Sequence, residues 1–339
     1  ACAKNLLTVG AVNDIDGGYT APGDVTMSGF SGWGPTDDGR IKPDLVANGV
    51  GLWSSVATGD GHALAYRAGV QLRDMEFVQF HPTALNLENA PRFLLSEAMR
   101  GEGAILVDRH GDAFMKDYDP AAELAPRDVV ARSIHLEMID RGASNVYLDL
   151  RSAMDAERIR ERFPTIYDTC LEHGVDITRD LIPVVPAVHY FCGGVWVDEW
   201  GQSTICHLYV AGEVSCTGVH GANRLGTNSL LDLVVFGRRA GQHIGDYVKQ
   251  ADAPQLGAEA AEPARAWMAR LTEGTSEHHG GHITDEMQTV MMEKVGIYRN
   301  TDDMQAAVEA LQQLRARYQA VRVQDTGKHF NTDLLELIE

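Results

Sequence analysis

The chain has 339 residues, 44% hydrophobic and 23% charged, a balance expected of a soluble globular protein with room for two or three domains. Its 29 Lys and Arg against 48 Asp and Glu leave a net charge of −19, which speaks against nucleic acid or an anionic membrane surface as a partner. No apolar run reaches the length of a membrane span, and residues 1–10 lack the apolar core of a signal peptide. Cys2, Cys170, Cys192, Cys206 and Cys216 are odd in number and contain no Cys-x-x-Cys pair, so reduced thiols and a cytoplasmic location are expected.

Residues 1–56 are rich in Gly, Ser, Thr and Asp, with short apolar runs such as Leu6-Leu-Thr-Val9 and turn clusters such as Asp16-Gly-Gly and Pro35-Thr-Asp-Asp-Gly39. Three strings stand out: Lys4-Asn-Leu-Leu-Thr-Val-Gly-Ala-Val-Asn13, Met27-Ser-Gly-Phe-Ser-Gly-Trp-Gly-Pro35 and Gly39-Arg-Ile-Lys-Pro-Asp-Leu-Val-Ala47. Together they resemble part of a subtilisin-like serine protease. A protease needs a nucleophile, a base and an orienting acid. The family's Asp and His precede this segment and its Gly-Thr-Ser-Met nucleophile motif follows it, and none of the three is present. No Gly-x-Ser-x-Gly elbow occurs elsewhere, and Ser54 and Ser55 have no histidine near them. Protease activity is not expected, and an inactive protease-derived module ranks last among the readings.

From Ala57 the texture changes. Thr58-Gly-Asp-Gly-His-Ala-Leu-Ala-Tyr-Arg-Ala-Gly69 predicts a turn and a helix stopped by Gly69, with Asp60 at the helix start. Met75 to Phe80 alternates as a strand that would deliver His81 at its end. Ala125-Pro-Arg-Asp-Val-Val-Ala-Arg132 predicts a helix opening at Pro126, with Arg127 in its first turn. Pro183 and Pro186 hold Ile182 to Tyr190 extended and put His189 at a strand start before Gly193-Gly194. Leu208 to Ala211 reads as a buried strand. It leads through Gly212, Gly218, Gly221 and Gly226 to a helix beginning near Asn228 or Ser229, whose free N–H groups face whatever lies above them.

Residues 245–285 read as helices joined by an exposed loop. His278, His279 and His282 lack the carboxylate or thiolate neighbours of a metal site, and no metal is expected. Residues 286–322 are predicted helical, with Asn300 or Thr301 as a cap and an apolar stripe through Met304, Val308, Leu311, Arg315, Tyr318 and Val321 that Arg315 interrupts.

The run from Ala211 through Asp232, with Phe80-His-Pro-Thr83, Phe93-Leu-Leu-Ser-Glu-Ala-Met-Arg-Gly-Glu-Gly103 and Arg127-Asp-Val-Val130, resembles the flavoprotein family of succinate dehydrogenase, fumarate reductase and L-aspartate oxidase. The resemblance implies FAD as cofactor and a small C4 dicarboxylate or amino-dicarboxylate as substrate. Carried over residue by residue, it implies that Asp60, Glu213, Asn228, Ser229 and Leu230 bind the flavin. Arg224, His81, His189, Ser96 and Glu97 would contact substrate, with cationic clamps at both carboxylates, and Arg127 would transfer the proton. An arginine is effectively never deprotonated, so that last role rests on the resemblance alone.

The implied fold is α/β plus α+β: a partial FAD-binding domain (57–90 and 187–245), an inserted capping domain (91–186) and a C-terminal helical region (246–339), behind the protease-like residues 1–56. From Phe80 through Cys216 the wording is closest to L-aspartate oxidase. From Leu225 onward it is closest to succinate dehydrogenase, including Phe330 to Glu336, and the mixture reads as an assembled or chimeric sequence or a fragment. No Gly-x-Gly-x-x-Gly follows a strand anywhere, so the half that cradles the FAD pyrophosphate is missing from these residues, as is the Ser-His-Thr segment of covalent FAD attachment. Two outcomes follow: an impaired flavin oxidoreductase completed by residues 1–56 or by a partner chain supplying that half, or a scaffold with a relict site and no activity.

Overall fold

The computed structural model describes residues 9–12, 45–48, 59–87, 90, 92–226, 228–251, 259, 261–273, 279–324, 327, 331, 334 and 337. In chain order its first elements are β1 (Val9–Val12), β2 (Leu45–Asn48), α1 (Asp60–Arg67), β3 (Leu72–Arg73), β4 (Val78–Leu85), α2 (Glu97–Gly101), β5 (Ile105–Val107) and α3 (Met115–Tyr118). Then come α4 (Arg127–Arg141), β6 (Val146–Asp149), α5 (Ala156–Arg162), α6 (Pro164–Glu172), β7 (Ile182–Phe191), β8 (Gly194–Trp196) and β9 (Ser215–Cys216). Four helices follow: α7 (Asn228–Tyr247), α8 (Glu262–Glu273), α9 (Gly280–Lys294) and α10 (Thr301–Tyr318). The chain divides into two compact units, Ala1–Val78 with Tyr190–Ala251, and Gln79–His189 with Asp252–Glu339.

In the first unit β1 and β2 pair in parallel, and β3, β8 and β9 form a sheet in that order, β3 antiparallel and β9 parallel to β8. Gly59 and Gly69 bracket α1 with positive φ, and the amide of Val70 closes the helix end on the Ala65 carbonyl. Ala65, Val70, Val195 and Val197 are the buried core, joined by Leu72, Ile205, Leu208, Val210 and Val214. The strand expected at Leu208 to Ala211 is not formed. Only Tyr209 makes an isolated bridge, to Gln202, and the strand before the helix is the two-residue β9. Gly201 and Gly212, both at positive φ, turn the chain on either side of Tyr209, so the apolar run packs without a ladder.

The second unit holds a four-stranded sheet in the order β4-β7-β6-β5, with β5 and β7 both antiparallel to β6. Leu106, Leu148, Ile182 and Val184 from these strands, with Val130 and Ile134 of α4 and Ile159 of α5, are completely buried in one cluster. α4 starts at Arg127, with Pro126 as its extended cap rather than its first residue. β4 does not stop at His81 but continues to Leu85; it is an edge strand of the sheet, where Pro82, which has no N–H to donate, is tolerated. His189 stands near the end of the ten-residue β7, not at a strand start. Pro183 lies inside that strand opposite Tyr147, and its carbonyl still accepts from the Asn86 amide at 2.9 Å.

The C-terminal helices of this unit close on Leu271, Ile283, Leu314, Val321, Val323 and Leu337. Asn300 caps α10, its side chain accepting from the Asp303 amide at 2.9 Å. The expected stripe is corrected here: Met304 and Val308 are 44% and 49% exposed, and Ala307 and Leu314 are buried instead. Both rows share Leu311 and Tyr318, which pack against this core, so the spacing alone fits either face.

Candidate functional site

In the second unit Ser96 caps α2, its hydroxyl accepting from the Ala98 amide at 3.2 Å, which starts the helix with Glu97 in its first turn. One Glu97 oxygen, Oε2, accepts two hydrogen bonds from Arg127, from Nε at 2.9 Å and Nη2 at 2.6 Å. The other, Oε1, accepts from Nη2 of the buried Arg100 at 3.0 Å. Burial raises the Glu97 pKa, but the hydrogen bond and charge of Arg127, with Arg100 and His81, outweigh it and hold the carboxyl below its ordinary range. Arg100 is anchored further by donating to the Glu123 carbonyl at 2.7 Å. A carboxylate is thus clamped between two guanidiniums, one of which is the expected proton-transfer arginine.

His81 is buried, and its ring meets that of His189 edge-on at 5.2 Å. Burial pushes its pKa down to about 3, helped by His189, Arg127 and Arg100 and opposed by Glu97. Its Nδ1 accepts from the Thr83 amide at 3.2 Å, which puts the proton on Nε2. His81 is therefore a neutral imidazole presenting one N–H, and the expectation of a cationic clamp does not hold for it. The structure brings His81, His189, Glu97 and Arg127 into mutual range in this unit, and the Ser96 side chain is committed to its cap.

In the first unit Glu213 follows Gly212 and is buried, its Oε1 accepting from the Phe191 amide at 2.9 Å. Burial pushes its carboxyl up to about 7, against the pull of that amide and of Arg224. Arg224 is also buried, and its Nη1 donates to the Gly226 carbonyl at 3.0 Å and to Ser229 Oγ at 3.1 Å. Asn228 and Ser229 stand half-buried in the first turn of α7, and Leu230 is 66% exposed. Asp60 opens α1; its side chain lies outside the described residues, as do Ser54, Ser55 and His278. His279 and His282 have ring centroids 5.4 Å apart, and His279 pairs with Gln324. Among the described residues no His, Cys, Asp and Glu group could hold a metal ion.

With the geometry in view, three families of sequence match the chain: the FAD binding domain over residues 45–230, the fumarate reductase flavoprotein C-terminal region over 284–339, and the subtilase family over 1–68. L-aspartate oxidase 1 of Ralstonia nicotianae is 46% identical over 282 residues, 83% of this chain and 51% of that protein. The chloroplastic L-aspartate oxidase of Oryza sativa subsp. japonica is 44% identical over 297 residues, 81% of this chain and 45% of that protein. Among solved structures, an E. coli quinol fumarate reductase chain superposes with a TM-score of 0.74 at 38% identity, covering 83% of this chain and 51% of that one.

The chain belongs to the FAD-dependent succinate dehydrogenase, fumarate reductase and L-aspartate oxidase flavoprotein family.

It spans about half the length of the curated relatives it matches. The subtilase match ends within the start of the FAD-domain match, so the change of texture near Ala57 lies in their overlap. The family's cofactor is FAD, and the first unit's residues fit one side of it. A buried Glu213 carboxyl beside a glycine at positive φ suits a ribose, and the first turn of the 20-residue α7 suits the polar edge of a flavin ring. The sequence contains no Gly-x-Gly-x-x-Gly to cradle the pyrophosphate at a helix start.

No helix among the described residues is long and apolar enough to cross a membrane. Sequence reasoning on this family member missed Arg100, Tyr190, His220 and Asp232. Arg100 was visible as the i+3 partner of Glu97 on a helix. His220 and Asp232 lie inside the Ala211–Asp232 run without standing out in it, and Tyr190 meets them only in the folded chain.

Proposed function

We propose that this chain carries the substrate-side machinery of a flavin-dependent oxidoreductase acting on a C4 dicarboxylate or amino-dicarboxylate, of the L-aspartate oxidase or the succinate and fumarate type. The observation that carries the reading is the Arg127–Glu97–Arg100 cluster within charge range of the neutral His81. An arginine serves a proton step only where its surroundings hold it in place and compensate its charge. Glu97 does both through two hydrogen bonds to one oxygen. His81 would donate its Nε2–H to a substrate carboxylate, and Arg224 would grip a carboxylate as a cation. Bound FAD would supply hydride acceptance, held by Asp60, Glu213, Asn228, Ser229 and Leu230. The partial FAD-binding domain (57–90 and 187–245), capping domain (91–186) and helical region (246–339) belong to the same proposal. So does weakened FAD affinity, with residues 1–56 or a partner chain completing the cofactor site.

A second reading, a scaffold with a relict site, is favoured by one observation: the sequence has no Gly-x-Gly-x-x-Gly loop to hold the pyrophosphate. The two separate on one preparation, incubated with FAD, desalted and scanned in the visible. A retained flavin band is expected, bleached anaerobically by aspartate or by succinate; the one that bleaches it names the substrate. A protein that is colourless after desalting and also fails to quench FAD fluorescence saturably in a titration without desalting would rule out the oxidoreductase reading for this chain on its own.

A further inference from the structure

The long helix α7 of the first unit has two unlike sides. One is fastened to its own unit along its length. Asp232 Oδ2 lies 3.5 Å from His220 Nε2, and the Arg239 guanidinium lies 4.5 Å from the centre of the Trp200 ring. Tyr209 Oη lies 2.6 Å from His243 Nδ1, the Tyr247 and His207 rings stack at 4.4 Å, and Ala240 is buried on the same side. The opposite side carries Leu230, Val234, Gly237, Gly241 and Gly245, which the helical repeat sets in one line at steps of three and four. That line holds no charge, in a chain of net charge −19. Leu230 is exposed, and so are Leu231, Leu233 and Val235 beside the line.

An apolar side chain left in water forgoes the stabilisation that burial gives, and a glycine inside a helix weakens it relative to alanine. At Gly237, Gly241 and Gly245 a Cβ would meet nothing within 4 Å among the described residues, so no contact within the unit requires glycine there. Bare backbone on a helix face permits close approach by another element.

We propose that this face of α7 is the docking surface for a second polypeptide, one that carries the dinucleotide half of the FAD-binding fold and packs an apolar face on the glycines. Three observations choose that occupant. The match to the FAD binding domain ends at Leu230, in the first turn of this helix. The chain spans about half the length of the relatives it matches. The pyrophosphate loop is absent from its sequence, and a second copy of the same chain would not supply it. The choice of occupant rests on the flavin reading of this chain, and the test below reads the two claims separately.

The probe is the stretch of Ralstonia nicotianae L-aspartate oxidase 1 that precedes its match to this chain, fused to maltose-binding protein to keep it soluble and titrated onto the labelled full chain. The wild type is expected to bind it, and not the fusion partner alone, with a Kd of about 1 μM or tighter. Gly237→Gln combined with Gly241→Gln should weaken binding at least about tenfold, because two side chains then fill the line of approach. The same pair should raise the melting temperature of the free chain, glutamine being the better helix former. No binding by the wild type, or equal binding by the variant, overturns the proposal. A lower melting temperature in the variant would show that the unit itself needs these glycines, and overturns it too. A wild-type dimer in light scattering that the variant dissociates would give the face to a second copy instead. Binding that the variant weakens, in a complex that does not quench FAD fluorescence saturably, upholds the docking surface and overturns the flavin reading. FAD bound by a chain that does not bind the probe does the reverse.

Discussion

In the second unit one apolar cluster runs from Leu85 to Val184, and residues such as Met99, Ile134 and Leu148 have no exposed surface at all. In the first unit the corresponding core is Ala65, Val70, Val195 and Val197, and the long helix α7 buries only Asp232 and Ala240 while Leu230, Leu231, Leu233 and Val235 are exposed. Apolar burial stabilises in proportion to area removed from water. The second unit therefore rests its candidate residues on packed side chains. The first rests its own on polar contacts: Glu213 on an amide, Arg224 on a ring, a carbonyl and a hydroxyl. The two kinds of support predict different costs for core truncation and opposite responses to pH.

The largest effect is expected where the floor is thickest. Leu148→Ala should cost about 2–5 kcal/mol, through lost transfer energy and the cavity left behind. Val197→Ala in the first unit should cost roughly 1–2 kcal/mol, for two methyl groups. Urea unfolding of both variants, followed by hydrogen exchange to locate the loss, checks this; equal costs would erase the contrast.

Next comes a backbone test of the first unit. A Cβ at Gly193 would sit 2.1 Å from the Asp74 carbonyl oxygen, an atom that cannot swing aside. Gly193→Ala should cost about 1–3 kcal/mol. At Gly212 a Cβ would meet only the end of the Leu233 side chain, which can move, leaving mainly the positive φ to resist it, at roughly 1 kcal/mol. Thermal melts of the pair should rank them in that order.

The two units should also answer pH with opposite sign. Folded His81, at about 3, stays unprotonated where the unfolded imidazole, at 6.5, takes up a proton, so its contribution is complete above 6.5 and lost as pH falls toward 3. Folded Glu213, at about 7, keeps a proton that the unfolded carboxyl, at 4.5, releases, so stability is lost as pH rises from 4.5 to 7. Between pH 4.5 and 6.5 protection against hydrogen exchange should therefore rise in the second unit and fall in the first. Each slope is at most about 1.4 kcal/mol per pH unit. His81→Asn should flatten the first slope and Glu213→Gln the second; slopes of one sign in both units would contradict the assignment.

The smallest effect sharpens the helical region. Met304→Gln should change stability by less than about 0.5 kcal/mol, because the side chain is exposed, whereas Leu314→Ala should cost about 2 kcal/mol or more. A costly Met304→Gln would restore the stripe expected from spacing.

Much of this was legible locally. The start of α7 at Asn228, the stop of α1 before Gly69 and the Asn300 cap follow from glycine and side-chain acceptors acting over one turn. The run through His81 was misjudged because nothing in its residues says that it lies at a sheet edge, where Pro82 does no harm. Leu208 to Ala211 has the composition of a strand but pairs only through the single Tyr209–Gln202 bridge among the described residues. In the site, the family resemblance carried by Phe80–Thr83, Phe93–Gly103, Arg127–Val130 and Ala211–Asp232 pointed to His81, Glu97, Arg127 and Arg224, while nothing in those runs set Arg100 or His220 apart and Tyr190 lay outside them.

By itself, then, the sequence determined membership of a flavoprotein family, the places of the candidate site residues that the family resemblance implies and the lack of a Gly-x-Gly-x-x-Gly loop, because these are properties of residue type and order. Tertiary structure alone decided that His81 is neutral, that Glu97 is shared by two arginines, that Glu213 holds its proton to about neutral pH and that Arg224 lies on the Tyr190 ring. The reason is physical: charge state and orientation depend on burial and on neighbours that are remote along the chain, and neither is written at the position it governs.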